Sequence, residues 1–230
     1  MSRGGPRAAT TRWCHRAILR IVASFARLAV EIAADFRFHH DLLLPETAIY
    51  VAPHRSMFDV PLGIHTFRRL GVAPLLVVSQ QHLGALRLPI RDWDALNVLP
   101  ISRDAHGRAR MLEVGRDALS AGRSVAIMPE GRVIRNDRAN GANVRSGAAE
   151  LAVGSGKPVV TLGSAGVEEL WQRGKPSTFA SLRRRTIVGI AHGVVAPCSD
   201  VGEMRQAITE SLAAAEHRAH RILERTARTA

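Results

Sequence analysis

Cysteine, lysine and aromatic residues are all scarce in this sequence of 230 residues. Aromatic residues make up only 4%, which argues against the base-stacking platforms of proteins that bind single-stranded nucleic acid. The two cysteines, Cys14 and Cys198, form neither a metal-binding nor a redox spacing, so we expect no disulfide framework. No apolar run reaches the roughly eighteen residues that a membrane-spanning helix needs. What is left is an ordinary globular composition with the length of one α/β domain.

Positive charge is abundant, and arginine carries almost all of it. The formal net charge is +12, and only two of the 32 basic residues are lysines. This excess can reflect attraction to polyanions such as phosphate groups, an anionic membrane or nucleic acid. It can equally reflect a well-solvated, arginine-rich surface. Arginine does favour forked contacts to phosphate, but charge alone does not choose between these interpretations.

Short apolar runs alternate along the chain with segments of helical periodicity. Such alternation predicts an α/β fold with a largely parallel sheet flanked by helices. In sheets of this kind the functional site lies beyond the carboxyl ends of the strands. We predict strands over residues 48–52, 74–78, 98–101, 124–128, 158–162 and 186–190, and helices over 59–70, 108–121, 146–153 and from Asp200 onward. The apolar stripe predicted for the last helix consists of Met204, Ile208, Leu212 and Ala215.

An amphipathic helix is predicted over residues 13–38, because apolar residues recur there at helical spacing with arginines between them. Two interpretations stay open: the helix packs on its own domain, or it lies on a membrane surface. We divide the chain into residues 1–44, a tail with this helix, and residues 45–230, the domain that carries the chemistry. We expect no signal peptide.

Three segments at the ends of predicted strands contain candidate functional residues. In the first, His54 and Asp59 lie where a strand gives way to a helix, so the carboxylate can orient the imidazole as a general base. In the second, Pro129-Glu130-Gly131 precedes Arg132 and Arg135. Gly131 allows close backbone approach, and Glu130 could orient a substrate or pair with an arginine.

The third segment, residues 97–104, places Arg103 just past a strand, where it could hold a phosphate. Taken singly, each segment can also be an ordinary turn or strand end. The order of the three is more specific than any one of them, and so is their spacing along the chain.

Together the segments resemble the 1-acylglycerol-3-phosphate acyltransferase family over roughly residues 45–200. The family's first motif, N-H-x-x-x-x-D, is similar to residues 53–59, and its F-P-E-G-T-R-S motif is similar to residues 128–131. Residues 98–103 and 156–160 resemble its second and fourth motifs, and residues 145–152 fit the helix that lies between the third and fourth.

The resemblance implies that acyl-CoA or acyl-carrier protein donates a fatty acyl group to a lysophospholipid hydroxyl, by default that of 1-acyl-sn-glycerol 3-phosphate. His54 and Asp59 would be catalytic, and Arg103 with the 129–135 loop would bind the acceptor. No metal and no cofactor is implied. Two departures concern the acceptor: Pro53 replaces the usual Asn, and Arg132-Val133 replaces Thr-Arg, so Arg132 or Arg135 would take the phosphate-binding position.

Other function classes are less well supported by the sequence. A serine hydrolase would show G-x-S-x-G, which is absent, and the only clustered candidate metal ligands are in His39-His40-Asp41. We expect no nucleic-acid partner. An acyltransferase acting on another lysolipid or a glycolipid remains open, as does a lipid-binding relative without catalysis. The expected location is peripheral, on the cytoplasmic side of an anionic membrane.

Overall fold

The structure, a computed structural model, describes residues 21, 24–80, 97–134, 144–171 and 185–229. Its strands within these ranges are β1 (Ala34–His39), β2 (Ile49–Val51), β3 (Leu75–Ser79), β4 (Val98–Ile101), β5 (Val125–Ile127), β6 (Val159–Ala165) and β7 (Arg185–Val195). Its helices are α1 (described at residues 21 and 24–33), α2 (Asp59–Arg69), α3 (Ala105–Ser120), α4 (Gly147–Ser155) and α5 (Val201–Arg228), with a 3-10 helix at Val167–Glu169.

The described strands form one sheet in the order β1-β7-β6-β2-β5-β3-β4. The five strands from β6 to β4 run parallel, whereas β7 is antiparallel to β6 and β1 is parallel to β7. The predicted α/β class with a largely parallel sheet is confirmed. Because β2 and β5 are parallel neighbours, the segments that follow them leave the sheet side by side at one edge.

Helices cover both faces of the sheet because the central strands are apolar on both sides, as expected of buried parallel strands. Ile49 and Val51 of β2 pack with α3, α4 and α5 on one face. Tyr50, between them, faces α2 on the other side, where its ring meets that of Phe67 edge-on. The pattern of one buried strand thus accounts for helices above and below it.

The last helix, α5, begins where the sequence predicts. Asp200 caps it by accepting a hydrogen bond from the backbone N–H of Glu203. Its predicted apolar stripe is fully buried and extends one step further, to Ala219. The stripe consists of Met204, Ile208, Leu212, Ala215 and Ala219.

The predicted end of the N-terminal helix at residue 38 is wrong. The helix ends at residue 33, and Ala34–His39 forms β1, which pairs with β7 at the edge of the sheet. The helical spacing of the apolar residues does not extend through this segment, where Phe36 and Phe38 alternate with polar residues as in a strand. Residues 13–20, the predicted beginning of the helix, lie outside the described residues. The division at residue 45 stays a prediction, although β1 belongs to the main sheet.

Gly163 of β6 allows α5 to approach the sheet unusually closely. A Cβ atom at this position would come within 2.4 Å of the carbonyl carbon and oxygen of Ala215 on α5. These are backbone atoms, so a larger residue can be accommodated only if the helix moves. The close crossing fixes which residues of α5 lie near the segment that follows β2.

We therefore expect Gly163→Ala to lower the free energy of unfolding by about 1–3 kcal/mol, the usual cost of overpacking. Gly63→Ala is the matched control, because a Cβ there meets nothing closer than 4.0 Å, within a helix. That change should raise stability by roughly 0.5–1 kcal/mol, since alanine is the better helix residue. Urea unfolding of both variants is the measurement. Equal stability of the Gly163 variant and the wild type would contradict the tight crossing.

Candidate active site

His54 and Asp59 form a buried pair immediately after β2. The imidazole Nδ1 lies 2.8 Å from Asp59 Oδ2, and the two residues are 7% and 5% exposed. The same oxygen accepts the backbone N–H groups of Arg55 at 2.7 Å and Ser56 at 2.8 Å. Because this oxygen acts as an acceptor throughout, Nδ1 carries the proton and the lone pair of the neutral ring is on Nε2. This is the tautomer that a general base requires.

The turn between the two residues is fixed by contacts to a distant loop. The hydroxyl of Ser56 donates to the carbonyl oxygen of Trp171 at 2.9 Å, and the backbone N–H of Met57 donates to the same oxygen at 3.1 Å. Ser56 Oγ also accepts the N–H of Phe58. The tight turn that the spacing of five residues requires is therefore built by side chain and backbone together.

The turn after β5 holds the backbone of His54 on both sides. Glu130 Oε2 accepts the N–H of His54 at 2.6 Å, and the N–H of Ile134 donates to the carbonyl oxygen of His54 at 2.8 Å. The Glu130 side chain is fully buried. Burial raises the pKa of its carboxyl group, while the nearby Arg55 guanidinium acts in the opposite direction. Of the two roles expected for Glu130, the structure shows pairing with an arginine.

Gly131 adopts a left-handed backbone conformation with φ of 67°, which a residue with a Cβ atom rarely adopts. Its N–H donates to the carbonyl oxygen of Met128 at 3.1 Å and so closes the turn. The guanidinium of Arg145 lies against this glycine, with Nε 3.5 Å from the place a Cβ would occupy. An arginine from the segment just before α4 therefore borders the turn that holds His54.

The predicted substrate-binding arginines differ in how close they lie to His54. Arg132 is exposed directly after Gly131. Arg103 is exposed after β4, three strands across from β2, a separation of about 14 Å at the usual strand spacing. Arg135 lies outside the described residues. The structure thus brings His54, Asp59, Glu130, Gly131 and Arg132 to one end of the sheet, with Arg103 further along the same edge.

Sequence reasoning missed two residues that contact this site, Arg55 and Glu216. Arg55 donates to Glu130 and, with two nitrogens, to Glu216 on α5. Arg55 was within reach of sequence reasoning because it directly follows His54. No local signal could have indicated Glu216, which is 161 positions further along the chain.

Two negative findings concern only the described part of the chain. It contains no group of three or more His, Cys, Asp or Glu side chains arranged to hold a metal ion. Asp41, from the only cluster that the sequence suggested, instead accepts a hydrogen bond from Arg218 at 3.3 Å. None of the helices in the described ranges combines the length and apolar character needed to cross a membrane.

Residues 35–165, more than half of the chain, match the profile of the Acyltransferase family. The chain belongs to the Acyltransferase family. This match spans β1 to β6 and includes the His54–Asp59 pair and the Glu130 turn. The acyltransferase predicted from the order of the motifs is therefore confirmed.

Among solved structures, this acyltransferase is similar to the crystal structure of the 1-acyl-sn-glycerophosphate (LPA) acyltransferase PlsC from Thermotoga maritima. The two share 19% sequence identity with a TM-score of 0.66, and the match covers 92% of this chain and 80% of that one. At this identity the similarity establishes the fold. A search of curated proteins found no match.

Proposed function

We propose that this acyltransferase moves a fatty acyl group from a thioester, acyl-CoA or acyl-carrier protein, to the hydroxyl of a lysophospholipid. The default acceptor is 1-acyl-sn-glycerol 3-phosphate, in phospholipid biosynthesis. The observation that carries the proposal is the buried His54–Asp59 pair, whose geometry favours a general base. The fold shared with PlsC, named as a 1-acyl-sn-glycerophosphate acyltransferase, supports the choice of acceptor.

In the proposed reaction Nε2 of His54 removes the proton from the acceptor hydroxyl as its oxygen attacks the thioester carbonyl carbon. The resulting tetrahedral intermediate collapses with cleavage of the carbon–sulfur bond. The thiolate leaves and receives the proton from the imidazolium, so the histidine is regenerated. Asp59 stabilises the imidazolium and fixes the ring. The proposal requires neither a metal nor a cofactor, and no covalent acyl-enzyme.

The acceptor phosphate is proposed to bind at the turn after β5. Gly131 lets the phosphate approach the backbone, and Arg132 and Arg145 supply cations beside it. Arg135 and Arg103 are further proposed ligands of the same phosphate. We propose that Glu130 acts indirectly, by holding Arg55 and the backbone of His54 in place. Its two oxygens accept hydrogen bonds from these two residues.

We expect Arg132→Ala and Arg145→Ala each to raise the KM for the acceptor with little change in kcat. A hydrogen bond to a charged group contributes about 1.5–3 kcal/mol, so the increase should be roughly tenfold or more. Arg110→Ala is the control, because Arg110 is exposed on α3 away from the turn. Steady-state kinetics with varied acceptor would test this. An unchanged KM in both variants would remove them from the phosphate role.

The test of the proposed function is a substrate panel. The purified protein is given acyl-CoA or acyl-carrier protein with 1-acyl-sn-glycerol 3-phosphate, other lysophospholipids and a glycolipid, and thiol release and acylated product are followed. We expect the highest kcat/KM with the lysophosphatidic acid. Preference for another acceptor would replace the default substrate, and lipid binding without thiol release would indicate a non-catalytic relative.

We also propose that α1 attaches the protein peripherally to an anionic membrane, on the cytoplasmic side. One face of α1 packs through Val30 on Phe58 and Leu62, next to the catalytic segment. The other face, here called the α1 apolar face, leaves four large hydrophobic side chains more than half exposed. These are Ile21, Phe25, Leu28 and Ile32. An exposed apolar stripe beside a site for lipid substrates fits an interfacial helix.

Replacing Phe25 and Leu28 by Asn is expected to reduce binding to vesicles containing anionic phospholipid by about a hundredfold or more. Burial of one such side chain contributes roughly 1.5–3 kcal/mol, and two are lost. Val194→Asn is the control, because Val194 is exposed near the end of β7, whereas the segment that follows α1 pairs with the beginning of β7. Vesicle co-sedimentation is the measurement. If the double variant binds like the wild type, α1 only serves to pack the fold.

A further inference from the structure

Two glutamates from distant parts of the chain share the guanidinium of Arg55. Nε and one terminal nitrogen of Arg55 donate to the two oxygens of Glu216 on α5, at 2.7 and 2.6 Å. The other terminal nitrogen donates to Glu130 Oε1 at 2.6 Å. The side chain of Arg55 is 12% exposed, that of Glu216 is 16% exposed, and that of Glu130 is 0% exposed. The arrangement is therefore shielded from water, where forked contacts of this kind are strongest.

The second oxygen of Glu130 connects this cluster to the catalytic histidine. Glu130 Oε2 accepts the backbone N–H of His54 at 2.6 Å. Glu216 is therefore linked to the backbone of His54 by three successive contacts, through Arg55 and then Glu130. Each contact is short and charge-assisted, so a shift of the guanidinium is passed to the peptide that positions the imidazole.

Glu216 is the partner that fixes the orientation of the guanidinium. It engages two nitrogens in a fork, whereas Glu130 engages one. With Glu130 alone, the planar group could rotate about its single contact. The position of Glu216 is in turn set by the close crossing of α5 over Gly163. There the backbone of Ala215, the residue before Glu216, lies against β6.

The charges of the cluster are mutually dependent. The flanking glutamates raise the pKa of Arg55 despite its burial, and burial raises the pKa of Glu130. A buried carboxylate is costly unless it is paired, so the placement of Glu130, which accepts the His54 N–H, depends on a correctly placed Arg55. The ionic network thus affects the position of the His54 backbone as well as the stability of the fold.

We propose that Glu216 is a positioning residue for acyl transfer: it holds Arg55, which holds Glu130, which fixes the backbone of His54. The inference rests on the proposed role of His54 as general base. A residue that only attached α5 to the sheet would affect stability. A positioning residue affects kcat, because a misplaced base slows the chemical step without removing a substrate contact.

The test compares Glu216→Gln, which preserves size and removes the charge, with Glu224→Gln. Glu224 is an exposed glutamate on the same helix and provides a matched loss of charge. We expect Glu216→Gln to lower kcat by about 10- to 100-fold, the usual effect of slight misplacement of a catalytic group. The KM for donor and acceptor should remain unchanged, and Glu224→Gln should behave like the wild type. Wild-type kcat in Glu216→Gln would overturn the proposal.

A double-mutant cycle with Arg55→Met identifies the route of the effect. If Glu216 acts through Arg55, Glu216→Gln should cause no further loss of kcat in the Arg55→Met background. Independent, multiplying losses would contradict the route. If Arg55→Met does not fold, the effects of Glu216→Gln on kcat and KM still decide the proposal. His54→Ala is measured alongside: activity in that variant refutes the general base, whereas an inactive His54→Ala with a fully active Glu216→Gln refutes the positioning role alone.

Discussion

Replacing His54 by Ala is expected to abolish acyl transfer while the protein stays folded. A positioned general base contributes about 10²- to 10⁴-fold to rate, so kcat should fall by at least this range. The fold should survive because two contacts that tie this residue to the turn after β5 are made by its backbone. Its N–H to Glu130 and its carbonyl oxygen to Ile134 remain available to Ala. Asp59 likewise keeps its two backbone donors from Arg55 and Ser56.

The measurement is thiol release under saturating substrate, with urea unfolding of the same preparation. His106→Ala serves as a control, because His106 is exposed on α3. A His54→Ala variant with wild-type kcat would refute the proposed mechanism. Loss of activity accompanied by loss of the folded state would show that the ring is needed for structure, which the backbone contacts argue against.

The parts of this site that the sequence predicts are those determined locally. His54 and Asp59 lie in one short segment between a strand and a helix, so their contact requires only a turn. The proximity of Glu130 follows from topology, because parallel strands bring their carboxyl ends to one edge of a sheet. Both inferences need the order of the elements and no knowledge of side-chain packing.

The parts that could not be predicted depend on how distant elements cross. Glu216 reaches Arg55 only because α5 meets β6 at Gly163, and the sequence of α5 predicts its buried stripe but not that crossing point. Likewise, β1 pairs with β7, which lies more than 140 residues further along the chain. The helical pattern before Ala34–His39 predicts that the helix continues through this segment. The segment is a strand because it pairs with the edge of β7 that β6 does not occupy.

Asp59→Asn is expected to lower kcat on the order of 10³-fold or more, by comparison with the loss caused by the same change in Ser-His-Asp triads. The amide oxygen of Asn can still accept the N–H groups of Arg55 and Ser56, so the turn should persist. What is lost is the negative charge that stabilises the imidazolium formed when Nε2 takes up the proton. Stability should therefore change little while catalysis is largely lost.

Asp59→Ala separates the two roles of this carboxylate. It removes the acceptor of three donors at once, of which the backbone N–H groups of Arg55 and Ser56 are held in a buried turn. Each buried donor left without a partner costs about 1–3 kcal/mol, so this variant should be both inactive and less stable. Asp117→Asn on the exposed face of α3 controls for a simple loss of charge. Parallel kcat and urea unfolding measurements decide the matter: wild-type kcat in Asp59→Asn would mean that the carboxylate serves only to build the turn around His54.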